Sequence, residues 1–423
     1  MLRYPTIRYL AVVDRGTSGL GGPTRSDHYA DPGNRGWLSF VLNSGERQDT
    51  DGGGGTYGYG KGAFFLASRV GTVIIHTRFR DGEGNLTTRL IGSSLLESYN
   101  DHDRRPFTGR HWWGDVRADH CEPLADDHAT RVAGRLGLPP FDDEATGTTV
   151  VVLDPDLRDP SHDDEAAAPE LSVHDAGQYL AEAVAWNLWP LTLEDRSPRM
   201  HVSVAVNGEP VKVPDESTDA TLAHFAKAYR EMTLRAPDAE IRCGNPRRLL
   251  GSFAAVSTLG ARVRSRAAEE LGLDRDTAPH HVALMRRPDL VVGYHEGPAK
   301  PHPEVGYAGV FKVDDSLDST FARAEPPTHD SWVDAQLAGN EATFVRVARR
   351  RLAERCIELA GPRHTPAAVE SASVGAVSQR LGFLLAGVGD GAPLDGDGGE
   401  GRGSNSSDHP RGAGGASGGG RGG

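Results

Sequence analysis

Residues 6–13 run Thr-Ile-Arg-Tyr-Leu-Ala-Val-Val, a short β-rich apolar stretch that stops at Asp14-Arg15-Gly16. This pattern predicts a buried strand entering a turn. The next forty residues are polar and punctuated by glycine, with one short helix at 36–43. Ala63-Phe64-Phe65-Leu66-Ala67 reads as a helix and residues 70–77 as a strand. Residues 79–95 form a hairpin whose turn spans 82–85. A helix near 126–137 precedes a strong strand signal at 146–153 and an exposed acidic loop at 154–170. In 172–188, Tyr179, Leu180, Ala183, Val184 and Leu188 recur at helical spacing, and Ser172 with Asp175 resembles a capping box.

A second region opens with Met-His-Val-Ser-Val-Ala-Val-Asn-Gly-Glu-Pro-Val-Lys-Val, where Asn207-Gly208 suits a type I′ turn between alternating apolar runs. Strands are expected at 281–285, 289–295 and 305–313, with a helix near 218–234. Phe344, Val345, Ala348, Leu352, Cys356 and Leu359 share or border one stripe of a helix over 340–360. The fold class is therefore α+β: residues 1–195 form a first domain, 196–330 an α+β region and 331–386 a helical segment. The stretch 387–423 is almost free of apolar side chains and is expected to be disordered, because it cannot bury enough surface to offset ordering entropy.

Composition sharpens this division. Glycine makes up 53 of 423 residues, against a usual ~7%, and it concentrates at 52–62 and 387–423. The net charge of −13 speaks against nucleic acid or an anionic membrane as a partner of the whole surface. Cys121, Cys243 and Cys356 are far apart and lack CxxC spacing, so buried free thiols are expected rather than a disulfide framework or zinc ribbon. No stretch reaches 18 apolar residues and the N-terminus lacks a secretory pattern, which makes a soluble cytoplasmic protein the expectation. The histidines show no metal-ligand spacing.

Three pieces carry chemistry. They are Asp14-Arg15-Gly16-Thr17-Ser18-Gly19-Leu20-Gly21-Gly22, Gly55-Thr56-Tyr57-Gly58-Tyr59-Gly60-Lys61-Gly62, and Gly147-Thr148 at the start of a strand. A carboxylate at a strand end accepts from an exocyclic amine, and a glycine two residues on leaves room for a flat ring. A glycine-rich loop running into a helix offers backbone N–H groups to phosphates, and Lys61 adds a point charge. A threonine hydroxyl at a strand start reaches an adenine edge directly or through water. Together they describe a purine-nucleotide site.

At these residues the sequence resembles the GHKL ATPase superfamily, the fold shared by DNA gyrase, MutL, the large cytosolic heat-shock chaperone and sensor histidine kinases. It is most similar to bacterial ATP-binding proteins that carry this domain. The likeness covers roughly residues 6–195. It implies an α/β sandwich with a Bergerat-type ATP site in which Asp14 binds the adenine amine, Gly16 and Gly19 shape the pocket, and Thr148 supports the Asp14 contact. Gly58, Gly60, Lys61 and Gly62 would hold the phosphates, with residues 22–55 as a lid. For gyrase-like relatives the resemblance further implies hydrolysis that drives lid closure, and homodimer contact. The family takes a water-activating Glu and a Mg²⁺-ligating Asn from a helix before this strand, and the 13 residues preceding Asp14 contain neither. The first domain is thus expected to be N-terminally incomplete, with no catalytic base and no metal ligand to assign.

Two other readings stand beside this one. The chain is a truncated or degenerate nucleotide-binding scaffold that does not hydrolyse. Alternatively, residues 55–61 match GxxxxGK, the start of a P-loop, although Gly62 replaces the Ser/Thr that ligates Mg²⁺. Elsewhere, His111-Trp112-Trp113 reads as packing before a base-stacking platform. The basic run at 346–351 reads as a solvated helix face with acidic partners, and residues 324–332 as a proline-fixed loop.

Overall fold

The computed structural model describes residues 6–29, 31, 33–43, 61–117, 120–159, 168–234, 239–326 and 331–361. Residues 44–60, which include most of the glycine-rich stretch at 52–62 with Gly58 and Gly60, and the expected tail at 387–423 lie outside the described residues.

The first half contains β1 (Tyr9–Arg15), a π-type turn (Leu38–Leu42), α1 (Gly62–Leu66), β2 (Thr72–Arg80) and β3 (Leu86–Leu95). Short strands follow: β4 (Tyr99–Asn100), β5 (Pro106–Phe107), β6 (Arg110–Trp113), β7 (Asp115–Arg117), β8 (His120–Glu122) and β9 (Leu124–Ala125). Helix α2 (Asp126–Arg135) and strand β10 (Gly147–Leu153) complete it. The sheet order is β1-β10-β2-β3-β6, with β9 also on β3, and every pair is antiparallel. A P-loop needs a parallel strand feeding its loop, so this topology speaks against the GxxxxGK reading.

Alternation along the strands separates two buried faces. On one, Val73, Ile75, Ile91, Val150 and Val152 pack against Trp37 and Val41 of the π-type turn and its flank, with Phe64 and Phe65 of α1 at the margin. On the other, Leu90 and Val151 pack against Ala129 and Ala133 of α2. The expected burial of the first strand needs correction, because β1 is an edge strand with Tyr9, Val12 and Val13 each more than 40% exposed.

The second half contains α3 (Val173–Thr192), β11 (Val204–Val206), β12 (Glu209–Val211), α4 (Ala220–Leu234), β13 (Glu240–Gly244) and β14 (Arg247–Leu259). Then come α5 (Arg266–Glu270), β15 (His280–Arg286), β16 (Leu290–Glu296), β17 (Val305–Val313), α6 (Asp318–Ala324) and α7 (Gly339–Ala360). The sheet order is β13-β14-β17-β15-β16, antiparallel except for the parallel pair β15–β17. Trp186, Trp189 and Phe225 from α3 and α4 cover one face, and Phe321, Val345 and Leu352 from α6 and α7 cover the other. With helices on both sides, all seven residues of β15 are buried. The chain is thus mixed α+β, and α3, within the first 195 residues, gives its apolar stripe to the second sheet.

Candidate functional site

Asp14 is near the end of β1, directly opposite Thr148 on β10, which in turn is opposite Thr77 on β2. Thr77 is opposite Arg89 on β3. Cross-strand partners point to the same side of a sheet, so Asp14, Thr148, Thr77 and Arg89 form one polar row. It lies on the face covered by the π-type turn, beside Val150, Ile75 and Ile91.

The chain leaving Asp14 crosses this row as a strap. Thr17 Oγ1 donates to Asp14 Oδ2 at 2.6 Å, and the Gly16 N–H donates to the Thr146 carbonyl at 2.9 Å. Further along, the Leu20 N–H donates to Thr77 Oγ1 at 2.9 Å. Gly19 has φ +67°, and a Cβ there would lie 2.2 Å from the Arg78 carbonyl oxygen, so only glycine lets the strap lie this close to β2. Asp14 Oδ1 accepts no hydrogen bond among the described residues, and no basic side chain there pairs with the carboxylate.

The threonines are arranged directionally. Thr77 Oγ1 donates its single hydrogen to the Gly147 carbonyl at 2.9 Å and lies 3.1 Å from Thr148 Oγ1. Thr148 must therefore be the donor between the two hydroxyls, and its oxygen has only lone pairs left. Asp14 and Thr148 thus present two acceptors and no donor to a ligand on this face.

Lys61 and Gly62 open α1, and Lys61 Nζ donates to the Ser39 carbonyl in the π-type turn. The structure therefore places Asp14, Gly16, Gly19 and Thr148 together at one end of the sheet, while Lys61 and Gly62 open a helix that is followed by residues lying beside the other end of β10. Thr77 and Arg89 were not anticipated from the sequence. The signal for Thr77 lay in the alternation of Val73, Ile75, Thr77 and Phe79, which puts a hydroxyl at an inward position; it is fully buried.

Other candidates resolve differently. Trp112 packs into the core on the strap face, while Trp113 is 54% exposed on the opposite one. Arg346 and Arg349 meet Asp334, and Arg350 and Arg351 meet Glu354, which gives the basic run its acidic partners. Cys243 and Cys356 are buried and Cys121 is half-buried, all free. The opposite sheet face has an apolar cavity of about 520 Å³ lined by Ile74, Leu90, Trp113, Leu124, Val132 and Leu153, among others, none of them from the polar row. On that face His76 is buried, and neither ring nitrogen has a hydrogen-bond partner among the described residues. Burial, with Arg15 and Arg78 nearby, pushes its pKa down to about 4.

Among the described residues no group of three His, Cys, Asp or Glu side chains is placed to hold a metal ion, and no helix is long and apolar enough to cross a membrane. No protein-family model matches the chain, and no curated protein matches it in sequence.

Proposed function

We propose that this chain binds an adenine nucleotide, ATP in the first instance, on the strap face of the first sheet, as a GHKL-type domain does. The observation that carries the reading is the acceptor-only pair of Asp14 and Thr148. Adenine presents an exocyclic amine at the edge where guanine presents a carbonyl. Two acceptors therefore take adenine and leave guanine facing like-for-like oxygen. The strap supplies the wall beside the ring. Gly58, Gly60, Lys61 and Gly62 are the proposed phosphate contacts, and Lys61 has to leave the Ser39 carbonyl to serve as one.

The proposal is for binding. Among the described residues the polar row holds no second carboxylate and no histidine to take a proton from water, and no group of three His, Cys, Asp or Glu side chains is placed to hold a metal ion. No hydrolytic step is assigned to these residues.

Competition against a fluorescent ATP analogue tests the reading. GTP is expected to compete at least about tenfold more weakly than ATP, since unpaired polar groups at a recognition edge cost on the order of 1–3 kcal/mol. Equal competition by the two purines counts against it.

A further inference from the structure

The polar row ends at Arg89, roughly 14 Å from Asp14 by three strand spacings. Arg89 makes no ion pair among the described residues. Its Nη1 donates to the Gly22 carbonyl at 2.7 Å, and its guanidinium carbon lies 4.5 Å from the Phe79 ring and 5.2 Å from that of Trp37. Burial lowers its pKa to about 10, so it stays charged at neutral pH. The guanidinium is thus held by two aromatic rings and one carbonyl acceptor, with the Glu122 and Asp126 charges acting on it without an ion pair.

Its position explains the arrangement. Three members of the row each fix one point of the strap: Asp14 holds Thr17, Thr77 holds Leu20, and Arg89 holds Gly22. Gly22 is also where the strap meets the returning chain. It has φ +96°, and a Cβ there would lie 2.2 Å from the Asn34 carbonyl oxygen. Next to it, the Trp37 N–H donates to the Gly21 carbonyl at 2.8 Å, and fully buried Trp37 lies under the guanidinium. The far end of the strap is thereby tied to both β3 and the π-type turn.

We propose that Arg89 is a positioning residue which clamps the strap at Gly22 and so sets the shape of the adenine pocket, without touching the nucleotide. The effect on affinity rests on the nucleotide reading above; the clamp itself does not.

Two measurements on Arg89→Met and Arg89→Lys separate them. Hydrogen exchange on the unliganded protein should show the Leu20 amide exchanging at least about tenfold faster in Arg89→Met, with the β2 and β3 amides unchanged and protection largely restored in Arg89→Lys. Calorimetry with ATP and with adenosine should show both ligands weakened by the same factor, about five- to tenfold, in Arg89→Met. Gly22→Ala, which displaces the strap from its other side, should reproduce the loss and add little to Arg89→Met. Unchanged Leu20 exchange overturns the clamp. Loss of ATP affinity with adenosine unaffected also overturns it, because that is the signature of a direct phosphate contact. If the wild-type protein binds neither ligand while Leu20 still loosens in Arg89→Met, the nucleotide reading fails and the clamp stands.

Discussion

Thr148 has one hydrogen to give, and Thr77 decides where it goes. Because Thr77 donates to the Gly147 carbonyl, Thr148 donates to Thr77 and faces a ligand as an acceptor. Thr148→Val removes that acceptor but leaves Thr77 bonded to both Gly147 and Leu20. Affinity for ATP is therefore expected to fall about five- to tenfold, near 1 kcal/mol, while the unfolding free energy shifts by less than about 1 kcal/mol. Calorimetry and urea titration of the same variant check both halves. Asp14 and Thr148 drew notice in the sequence because one stands two residues before Gly16 and the other directly after Gly147, each at a strand end. Thr77 and Arg89 did not, since each is a single polar residue inside a β run and only the register of β2 and β3 puts them in line with Asp14.

Elements with a local signature were readable in advance. Ser172 caps α3 by accepting from the Asp175 N–H at 3.1 Å and donating to its carboxylate at 2.7 Å. Ser172→Ala is expected to cost about 1 kcal/mol, read as a lower urea midpoint with an unchanged slope. The turn between β11 and β12 has Asn207 at φ 52° and Gly208 at φ 86°, the left-handed pair that the Asn-Gly sequence demands. The 13-residue strand β14 gave no such signal. Ala254 has weak strand preference, and its fitness for the sheet comes from α4 packing over its small side chain, a tertiary effect. The apolar run of β1 misled for the complementary reason: hydrophobicity alone does not say whether an edge strand is covered.

Across the whole molecule, two sheets divide the work. The first presents the strap face; the second encloses its sheet between helix pairs and holds buried charge, as where Arg286 donates through Nη2 to Glu325 at 3.1 Å. Acid sensitivity comes from both. His76 in the first sheet and His281 in the second are each pushed down to about 4, chiefly by burial. Both pKa values lie below the ordinary 6.5, so the folded state binds fewer protons than the unfolded one between those limits. Their contribution to stability is fully present above pH 6.5 and is lost as pH falls towards 4. Unfolding free energies at pH 7 and pH 5 should show this loss, with a slope near 1.4 kcal/mol per pH unit for each histidine. His76→Phe should flatten the slope by one such share. The most direct measurement is isothermal titration of ATP into the wild-type chain and into Asp14→Ala. The predicted result is binding by the wild type and a loss on the order of 10- to 100-fold in the variant, about 1.5–3 kcal/mol for a hydrogen bond to a charged group. Equal affinity in the two proteins would contradict the account.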